Sequence, residues 1–179
     1  MKNSLDLWLS QWGEIVRLNQ LDQEETEAGE FVIRKNWKDR CLSEGDFFTS
    51  ETLGFTNAQH QREWYSVLDN KSLKKICIAA PRNHSKPTAF SVNYPLKEIA
   101  NNPNIRILLV SAAESQSQSF LREITGHIER NETFIQLVGN LKPESPERWM
   151  AKEIIVNRTN LNLKDPTVST VGVGGTILS

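Results

Sequence analysis

Apolar positions recur at helical spacing from the start of the chain. Leu5, Trp8, Leu9, Trp12, Ile15 and Val16 share one face, with Asn3 or Ser4 available as the cap, so a helix is predicted there. Gln20 to Glu30 carries Asp22, Glu24, Glu25, Glu27 and Glu30 and reads as a solvated acidic linker. Helical patterns return around Phe31 to Leu42 and Asn57 to Leu68, separated by Gly45 and Gly54. The front third is thus predicted to be helical, without a strong strand signal.

At Lys74 the pattern changes. Ile76-Cys77-Ile78-Ala79-Ala80 is a short, nearly continuous apolar run, which predicts a strand buried on both faces. Ile105 to Val110 and Glu153 to Val156 repeat the pattern, and Val168 to Val171 and Thr176 to Leu178 are weaker strand candidates. Thr88 to Ala100 has helix length, with Pro95 expected to kink or end it. Ser111-Ala112-Ala113-Glu114 has capping-box spacing, and Phe120, Leu121, Ile124 and Ile128 then form one apolar face. Strand, helix, strand, helix, strand with short connections predicts right-handed βαβ units and a parallel sheet. Two parts follow: a helical segment with its acidic linker over 1–70, and an α/β domain over 71–179.

Composition narrows the class. At 179 residues with 38% hydrophobic and 24% charged positions, the chain has the content of a soluble globular domain with a real core. No apolar run approaches the roughly 20 residues of a membrane span, and Met1 to Trp12 lacks the pattern of a secretory signal. Cys41 and Cys77 lack metal-ligand spacing, which fits a reducing, cytoplasmic setting. Net charge is -1, but residues 1–70 carry 7 Lys+Arg against 13 Asp+Glu, and residues 71–179 carry 14 against 9. A polyanion would meet the back half, so a non-enzymatic α/β module that binds DNA or a protein partner through that half is one reading.

The other reading rests on Ala80-Pro81-Arg82-Asn83-His84-Ser85-Lys86-Pro87-Thr88, which follows a predicted buried strand and opens a predicted helix. That is the context of a phosphate-cradling P-loop, in which glycines let backbone N–H groups converge, a lysine neutralises phosphate and a hydroxyl holds magnesium. Lys86 occupies the lysine position, while Ala80 and Ser85 replace the two glycines and Pro87 replaces the hydroxyl. Pro87 also removes a backbone donor, and Thr88 lies about 100° further around the helix. Ser85 disfavours the left-handed conformation that glycine tolerates. Weak phosphate binding through Lys86, Arg82 and the helix N-terminus is compatible with these changes; efficient magnesium-dependent hydrolysis is not.

In segment order the chain resembles the N-terminal ATPase region of the large subunit of bacteriophage terminase, the DNA-packaging motor, over about residues 45–178. The loop looks like that family's A-P-R-G-H-G-K-S-T. Gln59-His60-Gln61-Arg62-Glu63-Trp64-Tyr65 looks like the segment on the adenine side of its pocket. Ile107 to Ser111, Gln118 to Ile124, Trp149, Ile154 to Arg158, Asp165 to Val168 and Gly172 to Gly175 match later stretches in order. The resemblance implies a P-loop NTPase-like parallel sheet with flanking helices, incomplete because the chain stops before the family's acidic, magnesium-holding strand and its nuclease domain.

The same resemblance implies ATP and Mg2+ as cofactors and nucleotide contacts at Gln59, Arg82, Asn83, His84, Ser85, Lys86, Pro87 and Thr88. Double-stranded DNA, small terminase and portal proteins are the implied partners, in the cytoplasm of a bacterial host and with no membrane. No catalytic or metal-ligating residue is assigned. The expected function is that of a truncated, phage or prophage terminase-like protein that does not hydrolyse ATP alone. A helicase-like ATPase fragment is a third reading. Trp64 is the tryptophan placed nearest the expected base pocket, and His127 is expected at the surface.

Overall fold

A computed structural model describes residues 3–81 and 84–173. Helix α1 (Ser4–Asn19) begins where the pattern predicts, with the Asn3 side chain accepting from the Asp6 N–H at 2.9 Å. The acidic stretch is not a linker: α2 (Gln23–Ser43) starts inside it. Asp22 accepts from the Glu25 N–H and the Glu25 side chain accepts from the Asp22 N–H, a reciprocal cap. The glutamates of the next turn lie at the positive end of the helix dipole, which favours them there. Helices α3 (Gly45–Glu51) and α4 (Gln59–Asp69) complete the helical front.

The back half holds less sheet than its pattern predicts. Strands β1 (Ile107–Ser111), β2 (Glu153–Ile154) and β3 (Val168–Gly172) form one sheet in the order β1-β3-β2. β1 and β3 are parallel, in register from Ile107 opposite Val168 to Ser111 opposite Gly172, whereas β2 runs antiparallel to β3. The sheet is therefore mixed rather than wholly parallel. The predicted strand Thr176 to Leu178 and the glycines Gly174 and Gly175 lie outside the described residues.

Ile76 to Ala80 joins no ladder, and most of it is exposed. A strand buried on both faces needs a covering layer on each. Here α7 (Glu114–Arg130) packs against β1 and β3, while Leu108 and Val110, which alternation places together on one face, are 46% and 59% exposed. An apolar run joining this edge would gain cover on one side alone. The predicted doubly buried strand is thus replaced by an irregular segment.

Helical structure runs from Lys86 to Asn101 as α5 (Lys86–Thr88), a π-helical turn (Ala89–Asn93) and α6 (Tyr94–Asn101). Pro95 neither ends this helix nor breaks it. It lacks the N–H for a bond four residues back, and the wide turn lies immediately before it. Ser111 does not cap α7: it ends β1, its hydroxyl donates to the Ala113 carbonyl at 2.6 Å, and Ala113 is the N-cap residue. Leu121, Ile124 and Ile128 bury the expected face of α7. Helix α8 (Glu132–Val138) follows, capped by Asn131. One cluster joins Leu5, Trp37 and Phe48 of the front to Leu96, Leu121, Ile154 and Val168 of the back, so both halves share a core.

Candidate functional site

The loop before α5 is the place where chemistry-bearing residues converge, and two of its members, Arg82 and Asn83, lie outside the described residues. Ser85 adopts φ 54 and ψ 24, one of two non-glycine residues with positive φ among those described. The left-handed turn sits where the P-loop pattern has its second glycine, and it costs a residue with a Cβ on the order of 1–2 kcal/mol. The Ser85 carbonyl then accepts from the Ala89 N–H at 3.0 Å, so helical bonding starts at once. Lys86 is the first helical residue and half-buried, and Pro87 follows in the first turn, where a missing N–H is tolerated.

Helix α4 lies beside this loop. The His60 ring is 4.9 Å from Trp64 and 5.2 Å from His84, centroid to centroid, and Trp64 is 5.2 Å from Phe90. Residues 60 and 64 face the same way because they are four apart on a helix, so one face of α4 meets both the loop and the first turns after it. Gln59 points elsewhere: it is exposed and donates to Glu63 Oε1 at 3.2 Å within its own helix.

Gln61, not Gln59, borders the same cavity as the loop. Together with Ser85 and Thr88 it lines a cavity of about 170 Å³. Phe55, Thr56, Asn57, Ala89 and Asn93 complete the wall, which contains no charged side chain among the described residues. Asn93 is 4% exposed, and its Nδ2 donates to the Tyr65 hydroxyl at 3.0 Å. Its Oδ1 is buried without a hydrogen-bond partner among the described residues. Tyr65 is itself 1% exposed, and burial raises the pKa of its phenol. Asn57, 6% exposed, is held by Nδ2 donation to the carboxylate and the carbonyl of Asp46.

Sequence reasoning missed Gln61, Asn57, Phe90 and Asn93. The i, i+4 spacing of His60 and Trp64 was the available signal for the α4 face. Asn93 had none, because its importance arises from packing against Tyr65, 28 positions away. A larger cavity of about 600 Å³ is bounded by Ser4, Glu51, Asn57 and Asn131, and its described lining contains none of the expected loop contacts.

Several basic side chains of the back half are engaged. Lys71 pairs with Glu98 at 2.6 Å, Lys142 with Glu129 at 2.9 Å and Lys152 with Glu114 at 2.7 Å. Arg106 pairs with Asp165, and Arg158 donates to the Leu163 and Asp165 carbonyls. His127 is half-buried on α7, 3.1 Å from Asn131, rather than at the surface, and burial lowers its pKa.

Fold and site together define a mostly helical α/β protein with a small mixed sheet and a polar loop-to-helix junction. No helix among the described residues is long and apolar enough to cross a membrane. No protein-family model, curated protein or solved structure matches the chain.

Proposed function

We infer that the chain is a terminase-large-subunit-like protein related to viral DNA packaging, and that its loop binds the phosphates of a nucleotide weakly without supporting hydrolysis alone. The observation that carries this reading is Ser85. A serine held in the left-handed conformation directly before a helix-opening lysine takes the backbone shape that glycine favours, at the position where the P-loop pattern has a glycine. The ordered motif resemblance over about residues 45–178 and the approach of the α4 face to the loop add support.

Phosphate fits the residues present, with Lys86 supplying charge at the start of a helix. Magnesium does not. Pro87 offers no side-chain oxygen in place of the usual hydroxyl.

Titration of a fluorescent ATP analogue against the full chain tests the proposal. Binding is expected to be weak, insensitive to magnesium and reduced at least about tenfold in Lys86→Ala, the loss of a charge-assisted contact. Equal binding by both proteins would remove the nucleotide site from this loop.

A further inference from the structure

Helix α2 carries an exposed face that is complementary to itself. Its inward side sets Gly29 and Thr26 against Trp12 of α1 and buries Trp37 and Cys41. At about 100° per residue, Phe31 points away from that side, and Glu24, Glu27, Lys35 and Lys38 fall within about 40° of Phe31. All five are exposed, Phe31 at 66%, and the adjoining Val32 is 62% exposed. Two large apolar side chains thus stand together in water near the middle of a 21-residue helix, flanked by charge. Covering them would recover the burial they lack.

The charges are ordered by their distance from Phe31. Glu27 precedes it by four residues and Lys35 follows by four; Glu24 precedes it by seven and Lys38 follows by seven. Within one helix the two signs do not meet, because Glu27 and Lys35 are about 12 Å apart along the axis. A second α2 laid antiparallel, with the two-fold axis at Phe31, sets Glu27 against Lys35 and Glu24 against Lys38, each twice. The same axis brings the two Phe31 rings together. A parallel arrangement would set like charges against each other. A wholly basic or wholly acidic partner would satisfy one half of the face and be repelled by the other, whereas a second copy satisfies both. We propose that this face of α2 is the contact of a two-fold dimer, its occupant the same face of a second copy of this chain.

Sedimentation velocity of the full chain over a range of about 5–500 µM tests it, with a dimer dissociation constant expected on the order of 10–100 µM for so small a contact. Raising salt from about 0.05 to about 0.5 M should weaken the dimer at least about fivefold. Phe31→Ser should weaken it at least about tenfold. Lys35→Glu with Lys38→Glu makes the face wholly acidic, and Glu24→Lys with Glu27→Lys makes it wholly basic. Each double variant should be monomeric alone, and their equimolar mixture should dimerise at least as tightly as the unmodified chain. Recovery in the mixture also shows that both variants are folded; should either fail to fold, Phe31→Ser, at an exposed position, carries the test. An unmodified chain that stays monomeric throughout would overturn the proposal and leave the face to a partner of another sequence. A dimer unaltered by Phe31→Ser, one retained by each charge variant alone, or a mixture that stays monomeric would overturn it too. No nucleotide enters these measurements, so their outcome is separate from that of the loop reading.

Discussion

The indole of Trp12 occupies the space in which a side chain at Gly29 would begin. A Cβ built at Gly29 would lie 2.0 Å from Trp12 Cζ2, and the indole N–H donates to the Thr26 carbonyl at 3.1 Å across the same contact. This joins α1 to α2 through a glycine in a helix, where propensity alone favours alanine by about 1 kcal/mol. The steric term is expected to win. Gly29→Ala should destabilise the chain by about 1–3 kcal/mol as the indole is displaced and its hydrogen bond lost. Gly13→Ala is the matched control, since nothing lies within 4 Å of a Cβ there, and it should stabilise by about 0.5–1 kcal/mol. Urea unfolding of the two variants decides the matter, and equal stabilisation would show that Trp12 is not seated on α2.

A second relationship is asymmetric in its consequences. Lys97 is 2% exposed and donates to Asp69 Oδ1 at 2.5 Å, while Asp69 Oδ2 accepts from the Gly45 N–H at 2.6 Å. Asp69→Ala strands a buried ammonium and should cost about 3–5 kcal/mol. Lys97→Met should cost less, because the carboxylate keeps the Gly45 N–H and is partly open to water, its side chain being 20% exposed. The comparison of unfolding midpoints tests the order. The reverse order would mean that the carboxylate, not the ammonium, depends on the pair.

Which parts of this fold were legible depended on whether the signal was local. The helices α1 and α7 and the strands β1 and β3 were readable from local pattern, and in α7 the apolar stripe also coincides with burial of Leu121, Ile124 and Ile128. Gln20 to Glu30 misled through its composition, although the Asp22 to Glu25 spacing that caps α2 was present in it. Ile76 to Ala80 misled because apolar content marks a strand only where neighbours complete the ladder. Gly172 shows the same limit at the sheet. A Cβ there would lie 2.8 Å from the Glu114 N, so the glycine admits the start of α7, which only the assembled layers reveal. In the site, Ser85 could be read from the motif. Gln61 and Asn93 could not, because their role is set by α4 packing against the turn after the loop.

The two cysteines should separate cleanly by reactivity. Burial pushes the Cys41 thiol up to about 12, only partly offset by the Thr52 hydroxyl 3.6 Å from its sulfur, and Cys41 is fully buried. Cys77 is exposed. A thiolate is the reactive form, so a thiol reagent at neutral pH should modify Cys77 in the folded protein and both residues in denaturant. Mass spectrometry of the labelled peptides reads the result. Rapid labelling of Cys41 under native conditions would contradict its burial.

His127 should make stability depend on pH in the mildly acidic range. Burial lowers its pKa, and it faces Asn131 within a cleft that also holds Arg122, Glu123 and Arg130. The unfolded chain therefore takes up the proton first as pH falls. The stabilisation is complete above the ordinary histidine value of about 6.5 and is lost as pH falls from there through the lower folded value. Urea midpoints at about pH 7.5 and about pH 5.5 should differ in the unmodified chain and differ less in His127→Gln. An identical drop in both would place the effect elsewhere.

Ser85 and Gln20 provide the sharpest separation of stability from function, since both hold positive φ, 54 and 52, without being glycine. Gln20 ends α1, where its left-handed backbone lets its N–H donate to the Val16 carbonyl, a helix stop that glycine commonly supplies. Ser85 instead precedes a helix, at the loop whose pattern asks for glycine. Replacing either by glycine removes the Cβ clash and adds unfolded-state freedom, and the first effect exceeds the second. Each variant should gain about 0.5–1 kcal/mol in urea unfolding. Their effects on ligand should diverge. Ser85→Gly restores freedom to the loop before Lys86 and should tighten the ATP analogue by about threefold to tenfold, the range set by one improved backbone contact. Gln20→Gly should leave that affinity where it was. If Ser85→Gly gained stability but no affinity, the left-handed turn would be a helix-entry feature like its counterpart at Gln20, and the loop would lose its strongest claim to phosphate.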